Sequence, residues 1–289
     1  MSDDEGDGVS SDGFEGATAF VPGHVTGFFT VELDDDPMRA GSRGGGIALS
    51  DGVRVTVRPA PERAVYLDGT SLEMEAVERV LDALSAPLRV DAETPLPLGS
   101  GFGVSGAMAL GTALAAARTT ERSLSVDELV RMAHGAEAQS GTGLGDVVAQ
   151  ARGGVPIRLD PGAPPHGRVD AIASPARRVE YVSFGERSTA EVIDGETDLL
   201  TDTGRRALST VVQDPALPTL CHASRRFARE ADLLTPRVRE AVEDVSEADG
   251  EAFVAMPGET VVALDSGLSD AGYDPEPCRI HTAGATVER

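Results

Sequence analysis

The sequence predicts a protein of mixed helices and strands, long enough for two modest domains or one large one. Three observations support this class. Valines alternate with polar residues from Val53 to Val57, as in a half-buried strand. Apolar residues recur at helical spacing over 72–86. A glycine-rich loop at 99–106 precedes a run of small residues, which predicts a buried helix. The segment DPGAPPHG, 160–167, is a loop where one part could end.

The elements of the first half follow in chain order. Residues 1–13 predict a solvated acidic tail. Pro22-Gly23 predicts a turn between two strands, and Asp51-Gly52 predicts the turn of a hairpin over 44–60. Ser125 and Glu128 form a capping box that predicts a helix over 126–139. The other predicted elements are a helix at 72–86, a strand at 88–96, the loop helix to about 118, a short helix from Asp146 to Gly153-Gly154, and a strand at 155–159.

The second half predicts three helices and four strands. The helices span 198–211, 217–233 and 236–247, and the strands span 178–184, 251–256, 259–264 and a segment near 279–282.

Composition restricts where the protein works. The 289 residues carry a net charge of −23, and all 25 basic residues are arginine. Molar salt shortens the Debye length to about 3 Å and would screen such a surface, so we interpret the acidity as adaptation to a halophilic cell. The alternative is a surface that docks a basic partner. Nucleic-acid binding is disfavoured because phosphates would be repelled.

The same sequence predicts a cytoplasmic protein. No apolar run approaches a membrane span, and the acidic N-terminus does not resemble a signal peptide. Cys221 and Cys278 lack metal-ligand spacing and are expected to be free thiols. The absence of lysine excludes a Walker A loop, a pyridoxal phosphate enzyme and a protein kinase, each of which needs one.

The glycine loop matches two patterns. Gly101 to Gly106 fits the GxGxxG motif of dinucleotide-binding folds. That fold needs a strand after the loop helix, whereas the residues after Arg118 predict another helix, so we reject a dinucleotide site. Alternating glycines let backbone N–H groups converge, and the next helix directs its positive end to the same point. The loop is therefore predicted to hold a phosphate group, the alternative being a tight turn that only serves helix packing.

Three segments resemble those of the GHMP kinases (galactokinase, homoserine, mevalonate and phosphomevalonate kinases). PLGSGFGVSGA, Pro97 to Ala107, resembles their ATP loop, PxGxGLGSSAA. EAQSGTGLGDVVAQARGG, Glu137 to Gly154, resembles their segment with a metal-binding glutamate and a catalytic aspartate. VPGHVTGFF, Val21 to Phe29, stands where the family has its N-terminal substrate motif. The resemblance covers residues 17–265.

Within this family, the N-terminal motif is similar to that of the archaeal pantoate kinases. His24 stands where most GHMP kinases have lysine or arginine, and GSRGGG follows from Gly41 to Gly46. The resemblance implies that ATP phosphorylates (R)-pantoate to 4-phosphopantoate with Mg²⁺, on the way to coenzyme A. The C-terminal glycine cluster of the family is reduced here to Gly258 in AMPGETVVAL.

The resemblance also implies residue roles. Ser105 and Glu137 would bind Mg²⁺, and Asp146 would accept or orient the proton of the acceptor hydroxyl. From the residues alone, Glu137 could instead be a solvent-facing helix carboxylate and Asp146 an N-cap. The residues implied to hold ATP are Pro97, Gly99, Gly101, Gly103, Val104 and Ser105.

We expect an arginine to bind the carboxylate of the acceptor, because its guanidinium can form two parallel hydrogen bonds to it. Arg43 and Arg158 are the candidates, the alternative for each being a surface ion pair. His24 and Thr26 are candidates for the substrate hydroxyls. His134 could face the same site or be a buried helix histidine.

The resemblance implies an α+β fold with two domains. An ATP-loop and catalytic domain would span 14–170, a ferredoxin-like domain would span 171–289, and the active site would lie between them. It also implies a homodimer. The alternatives are a GHMP kinase with a homoserine or mevalonate-type acceptor, and a GHMP-fold ligand-binding protein without catalysis. A binding protein would not need Ser105, Glu137 and Asp146 together.

Overall fold

A computed structural model describes residues 16–185 and 197–288 of the chain. The acidic tail predicted at 1–13 lies outside these ranges. Within them, no helix is both long enough and apolar enough to cross a bilayer.

The first part of the chain builds one large sheet with helices packed against it. Including the last strand of the chain, β12 (Thr286–Val287), its strands follow the order β12-β1-β2-β5-β3-β4, while β6 pairs with the start of β2 and β7 pairs with β6. The elements are β1 Ala17–Phe29, β2 Gly44–Pro59, β3 Ala64–Leu67, β4 Thr70–Ser71, α1 Glu75–Leu84, β5 Leu88–Glu93, α2 Val104–Thr119, α3 Val126–Ser140, α4 Asp146–Arg152, β6 Val155–Asp160 and β7 Arg168–Ile172.

The predicted turns at Pro22-Gly23 and Asp51-Gly52 were wrong. Strands β1 and β2 are each continuous and pair antiparallel along their length. The two turn signals face each other, with Pro22 opposite Gly52, and the register shifts between Pro22 and Gly23. A β-bulge absorbs residues that resist regular pairing and bends the strand. The turn signals therefore bend this strand pair without ending either strand.

The glycine-loop helix α2 forms the centre of the core, as its small residues predict. Nearly all of its residues are buried. A Cβ atom at Gly111 would lie 2.5 Å from Cγ2 of Val55 on β2, so the missing side chain lets helix and sheet approach closely. The capping box of α3 is confirmed: Ser125 Oγ accepts from Glu128 N, and Glu128 Oε2 accepts from Ser125 N at 2.7 Å.

The second part of the chain forms a four-stranded antiparallel sheet in the order β11-β8-β10-β9. Counted within this part, the strand order is 4-1-3-2, and helices follow the first and third strands, which is the ferredoxin-like arrangement. The elements are β8 Arg178–Ser183, α5 Thr197–Gln213, α6 Leu217–Glu230, α7 Pro236–Glu247, β9 Ala252–Ala255, β10 Thr260–Leu264, α8 Gly267–Asp270, β11 Glu276–Arg279 and β12 Thr286–Val287.

The two sheets meet along β1. The last strand, β12, returns to pair with β1 at Ala19 and Phe20. Met256, just after β9, donates its backbone N–H to the carbonyl of Thr26 at 2.7 Å. This contact brings the segment between β9 and β10 next to the glycine loop of the first part. The domain limits at 170 and 171 stay a prediction.

Candidate active site

The glycine loop connects β5 to α2 in a conformation suited to an anion. Gly99, Gly101 and Gly103 have φ angles of 76°, 86° and 64°, in the left-handed region that glycine enters without strain. Gly103 is the N-cap of α2 and has no side chain to cap the helix. The first backbone N–H groups of α2 are therefore free to bind a ligand.

Three hydrogen bonds to loop carbonyl groups hold this loop in place. They come from a strand of the first sheet, from helix α4 and from strand β10. The pairs are His24 N to Phe102 O (2.9 Å), Gln150 Nε2 to Gly103 O (2.8 Å) and Thr260 Oγ1 to Ser100 O (2.8 Å). Because all three donors are distant in sequence, the loop is fixed by the tertiary fold.

Gln150 is a site residue that the sequence did not predict. It is fully buried, and its spacing of four residues from Asp146 places both side chains on one face of α4. A Cβ atom at Gly103 would meet both residues, at 2.9 Å from Gln150 Nε2 and 3.1 Å from Asp146 Cβ. Gln150 thus ties the end of the glycine loop to the helix that carries Asp146. The i, i+4 spacing was the signal available in the sequence.

The C-terminal segment around Gly258 packs on the same loop. A Cβ atom at Gly258 would lie 3.1 Å from Ser100 O, and one at Gly101 would lie 3.3 Å from Ala255 O. Phe102 of the loop is buried edge-on against Tyr181 of β8, with ring centroids 4.8 Å apart. The second part of the chain therefore supports the loop through packing.

Glu137 lies on α3, beside the first turn of α2, with 2% of its surface exposed. Ser105 Oγ donates to Glu137 Oε2 at 3.1 Å, and Thr142 Oγ1 donates to Oε1 at 2.8 Å. Burial, assisted by the nearby charge of Asp146, raises the pKa of Glu137 to about 7. A solvent-facing carboxylate, the alternative interpretation of Glu137, does not describe this buried group.

The Ser105–Glu137 pair fits a magnesium ion by its chemistry. Mg²⁺ is typically bound through one or two protein oxygens and otherwise by water and substrate phosphates. The pair offers oxygen atoms only, next to the open end of α2. Over residues 16–185 and 197–288, no group of three or more His, Cys, Asp and Glu side chains could hold a metal without such help.

Asp146 is the first residue of α4, and its carboxylate is bound to His24. Gly145 is the N-cap, with no side-chain capping bond, so capping does not explain Asp146. His24 Nδ1 lies 2.7 Å from Asp146 Oδ1, and Thr26 Oγ1 lies 3.4 Å from the same nitrogen. The Asp146 side chain is 27% exposed, whereas that of His24 is fully buried.

The charges around Asp146 favour its ionised form. Burial would raise the pKa of Asp146, but hydrogen bonds from His24 and Thr26 and the positive charge of Arg158 hold that pKa below its usual value. Burial lowers the pKa of His24. The pair is therefore an aspartate beside a neutral imidazole. Because an ionised carboxylate can only accept, His24 Nδ1 is the donor.

Arg158, on β6, has a buried guanidinium with free donors. The residue is 2% exposed, and among the described residues neither its Nε nor its Nη1 has a hydrogen-bond partner. Its planar group lies against the backbone of Gly145, where a Cβ atom would be 2.6 Å from Nε. Burial lowers the pKa of Arg158, and the charge of Asp146 opposes this effect. An unpaired buried guanidinium is costly, which indicates a ligand of negative charge.

Asp146 and Arg158 border one cleft that is partly open to solvent. The segment after α3, strand β1 and the residues after β9 complete its walls. The lining residues are Thr26, Phe29, Ser42, Gly143, Leu144, Gly145, Asp146, Arg158, Met256 and Pro257. Of the predicted acceptor residues, Thr26 and Arg158 are in this set.

Three predicted or candidate residues do not line this cleft. The Arg43 guanidinium is 38% exposed and lies 3.6 Å from Glu32 and 3.8 Å from Asp160, which matches the alternative of a surface ion pair. His134 is buried and its Nε2 lies 2.8 Å from Ala40 O, as in a structural helix histidine. His24 contacts Asp146 and is not among the lining residues of the cleft.

Comparison with known proteins assigns the family. Residues 71–154 match the model of the GHMP kinases N terminal domain, a range that holds the glycine loop, Glu137 and Asp146. The pantoate kinase of Methanospirillum hungatei is 33% identical over 86% of this chain and 86% of its own length. The chain belongs to the GHMP kinase family.

Two further relatives agree with this membership. The pantoate kinase of Thermococcus kodakarensis is 31% identical over 85% of this chain and 86% of its own. A solved phosphotransferase related to the CoA biosynthesis pathway superposes with a TM-score of 0.85, at 28% identity over 94% of this chain and 98% of that one. The similarity of this GHMP kinase to these two proteins therefore extends over most of the chain, well beyond the glycine loop.

Proposed function

We propose that this chain transfers the γ-phosphoryl group of ATP to the 4-hydroxyl of (R)-pantoate, forming ADP and 4-phosphopantoate for coenzyme A biosynthesis. The observation that carries the proposal is one cleft bordered by an ionised aspartate, Asp146, and by a buried arginine, Arg158, two of whose donors have no partner among the described residues. Two pantoate kinases that match this chain over most of their own length support pantoate as the acceptor.

Arg158 binds the pantoate carboxylate. Its guanidinium has two donors without a partner among the described residues, and a guanidinium can bind a carboxylate through two parallel hydrogen bonds. The buried surroundings strengthen this ion pair relative to water, because the effective dielectric constant is lower. In this proposal, Arg158 fixes one end of the acceptor and so presents a hydroxyl to Asp146.

Asp146 receives the proton of that hydroxyl. The acceptor oxygen forms a bond to the γ-phosphorus, the bond between that phosphorus and the β–γ bridging oxygen breaks, and ADP leaves with the electron pair. The hydroxyl proton passes to the Asp146 carboxylate. A pKa held below its usual value keeps Asp146 ionised and ready to accept.

The glycine loop and the first turn of α2 bind the ATP phosphates through backbone N–H groups. Ser105 and Glu137 would hold Mg²⁺, which would neutralise charge on the phosphates. Glu137 would bind the ion as an ionised carboxylate, whereas burial raises its pKa to about 7 in the free protein.

Two broader proposals concern the cellular environment and the oligomeric state. The charge of −23 and the absence of lysine support work in a salt-rich cytoplasm. The family resemblance supports a homodimer.

The test is an ADP-release assay in molar KCl with Mg²⁺, using pantoate, homoserine, mevalonate and galactose as acceptors. The proposal expects turnover with pantoate and none above the acceptor-free rate with the other three. Turnover of homoserine or mevalonate without pantoate would assign a different GHMP kinase. ATP binding without turnover of any acceptor would indicate a binding protein.

A further inference from the structure

His24 has an unusual position for a residue predicted to bind substrate. It lies on β1 with no exposed surface, and it is absent from the cleft lining. Its backbone is fixed on both sides, because it pairs with Ala48 on β2 and donates its N–H to Phe102 of the glycine loop. A substrate in the cleft would meet Asp146 before it met this ring.

The imidazole ring makes one short hydrogen bond, and it occupies space that a side chain at a neighbouring glycine would fill. Nδ1 donates to Asp146 Oδ1 at 2.7 Å, whereas Nε2 is buried with no partner among the described residues. A Cβ atom at Gly46 would lie 2.6 Å from Nε2, so the ring fills space that only glycine leaves open. Leaving the buried Nε2 atom without a partner is unfavourable. The contact between Nδ1 and Asp146 is therefore kept at a cost in stability.

The hydrogen bond from His24 reaches Oδ1 of Asp146 and leaves the second carboxylate oxygen, Oδ2, outside this contact. Oδ2 lies on the side of Gly143, 3.9 Å from where a Cβ atom of that residue would stand, and Gly143 lines the cleft. One oxygen is thus held by His24 from behind while the other lies towards the cleft.

We infer that His24 is a positioning residue: it binds Oδ1 of Asp146 so that Oδ2 is held towards the acceptor hydroxyl. The inference rests on the proposed kinase function and assigns His24 no contact with substrate. Its effect should therefore appear in kcat, with little change in the binding of either substrate.

The test compares His24→Leu, which keeps similar bulk, with His24→Asn, whose amide nitrogen can stand near the position of Nδ1. His24→Leu should lower kcat by about 10- to 100-fold while the KM values for ATP and pantoate change less than about 3-fold. His24→Asn should recover most of the loss, because it restores the donor to Oδ1. A large rise in pantoate KM, an unchanged kcat, or an equally slow His24→Asn would overturn the inference.

A double-mutant cycle with Asp146→Asn separates positioning from general damage. If His24 acts through the carboxylate, His24→Leu should cost less than about 3-fold in the Asp146→Asn background. The same 10- to 100-fold loss in both backgrounds would contradict the inference. Thermal unfolding in molar KCl confirms that each variant is folded.

If His24→Leu does not fold, His24→Asn is compared with His24→Gln. The amide nitrogen of glutamine reaches towards the position of Nε2, so the asparagine variant should be the faster enzyme, and the reverse order would overturn the inference. All rates are measured with whichever acceptor the wild type turns over fastest. Failure of pantoate as that acceptor counts against the proposed substrate alone.

Discussion

The charged groups of the cleft and those of the outer surface follow different rules. On the surface, arginines pair with carboxylates and both stay solvated, as in Arg79 with Glu75 at 2.6 Å, whose side chains are 39% and 60% exposed. At the candidate active site, Glu137 and Arg158 are each 2% exposed, and two guanidinium donors of Arg158 have no partner among the described residues.

This difference separates stability from function. An exposed ion pair contributes about 0–1 kcal/mol, because water and salt screen it. A buried charge without a partner destabilises the free protein, and a ligand of opposite charge removes that cost. Changes in the cleft should therefore alter catalysis and binding strongly, and changes at single surface pairs should alter almost nothing.

The largest effect is expected from Asp146→Asn. Asparagine keeps the size of the side chain and an oxygen that can accept from His24, but it cannot take the acceptor's proton. We expect kcat to fall by about 10²- to 10⁴-fold with nucleotide affinity nearly unchanged. Steady-state kinetics and a nucleotide titration measure the two quantities. A near-normal kcat would remove the general base and leave catalysis to positioning and phosphate neutralisation.

Arg158→Gln should act on the acceptor, and Arg43→Gln is its matched control. Losing one partner of a buried charge pair costs about 2–5 kcal/mol, so pantoate KM should rise by about 30- to 5,000-fold. The exposed Arg43 should change KM by less than about 3-fold. Because these Arg158 donors have no partner among residues 16–185 and 197–288, loss of the side chain should not lower the melting temperature of the ligand-free protein. Equal KM effects at the two positions would contradict the distinction between cleft and surface.

Glu137 should make the metal-free protein sensitive to pH. Its folded-state pKa is raised from 4.5 to about 7, so the folded state binds more protons over this interval. Stability is therefore lost as pH rises from about 4.5 to 7, by on the order of 3 kcal/mol. Glu137→Gln lacks this loss and should gain stability relative to wild type over that range.

Urea unfolding at pH 5 and pH 7.5, in chelator, measures this difference. Mg²⁺ should restore stability at pH 7.5 in wild type only, and the catalytic defect of Glu137→Gln should lessen as Mg²⁺ is raised. A pH-independent difference between the two proteins would show that Glu137 is not the titrating group.

The smallest effect is expected at single surface pairs. Arg79→Gln should change the free energy of unfolding by less than about 1 kcal/mol and leave kcat unchanged. The many surface charges should matter only together: transfer of wild type from molar KCl to dilute buffer should lower its melting temperature, because screening of the −23 charge is lost. The same melting temperature in both solutions would mean that the acidity has another cause.

The parts of the site that are local in sequence were predictable. The alternating glycines, the small-residue helix α2 and the Ser125–Glu128 capping box each carry their own signal within a few residues. Helix α4 was also predicted from the glycine run before Asp146. Their positions follow from backbone preferences and capping signals within short segments, although tertiary hydrogen bonds hold the glycine loop in its final conformation.

The contacts that define the chemistry were not predictable in this way. His24 and Asp146 are 122 residues apart, and only the paired strands β1 and β2 bring the ring beneath α4. Arg43 and Arg158 were equivalent candidates in the sequence, and burial alone separates them. The turn signals at Pro22-Gly23 and Asp51-Gly52 misled because their pairing across two strands is a long-range property.

The most direct test of the cleft's role compares pantoate with its amide, which keeps both hydroxyls and lacks the carboxylate charge. ADP release is measured in molar KCl with wild type and Arg158→Gln. We predict that wild type strongly prefers pantoate, with kcat/KM at least about 30-fold above that for the amide, and that Arg158→Gln loses most of this preference. Equal turnover of both acceptors by wild type, or an undiminished preference in Arg158→Gln, would contradict the assignment of Arg158 and Asp146 to one acceptor site.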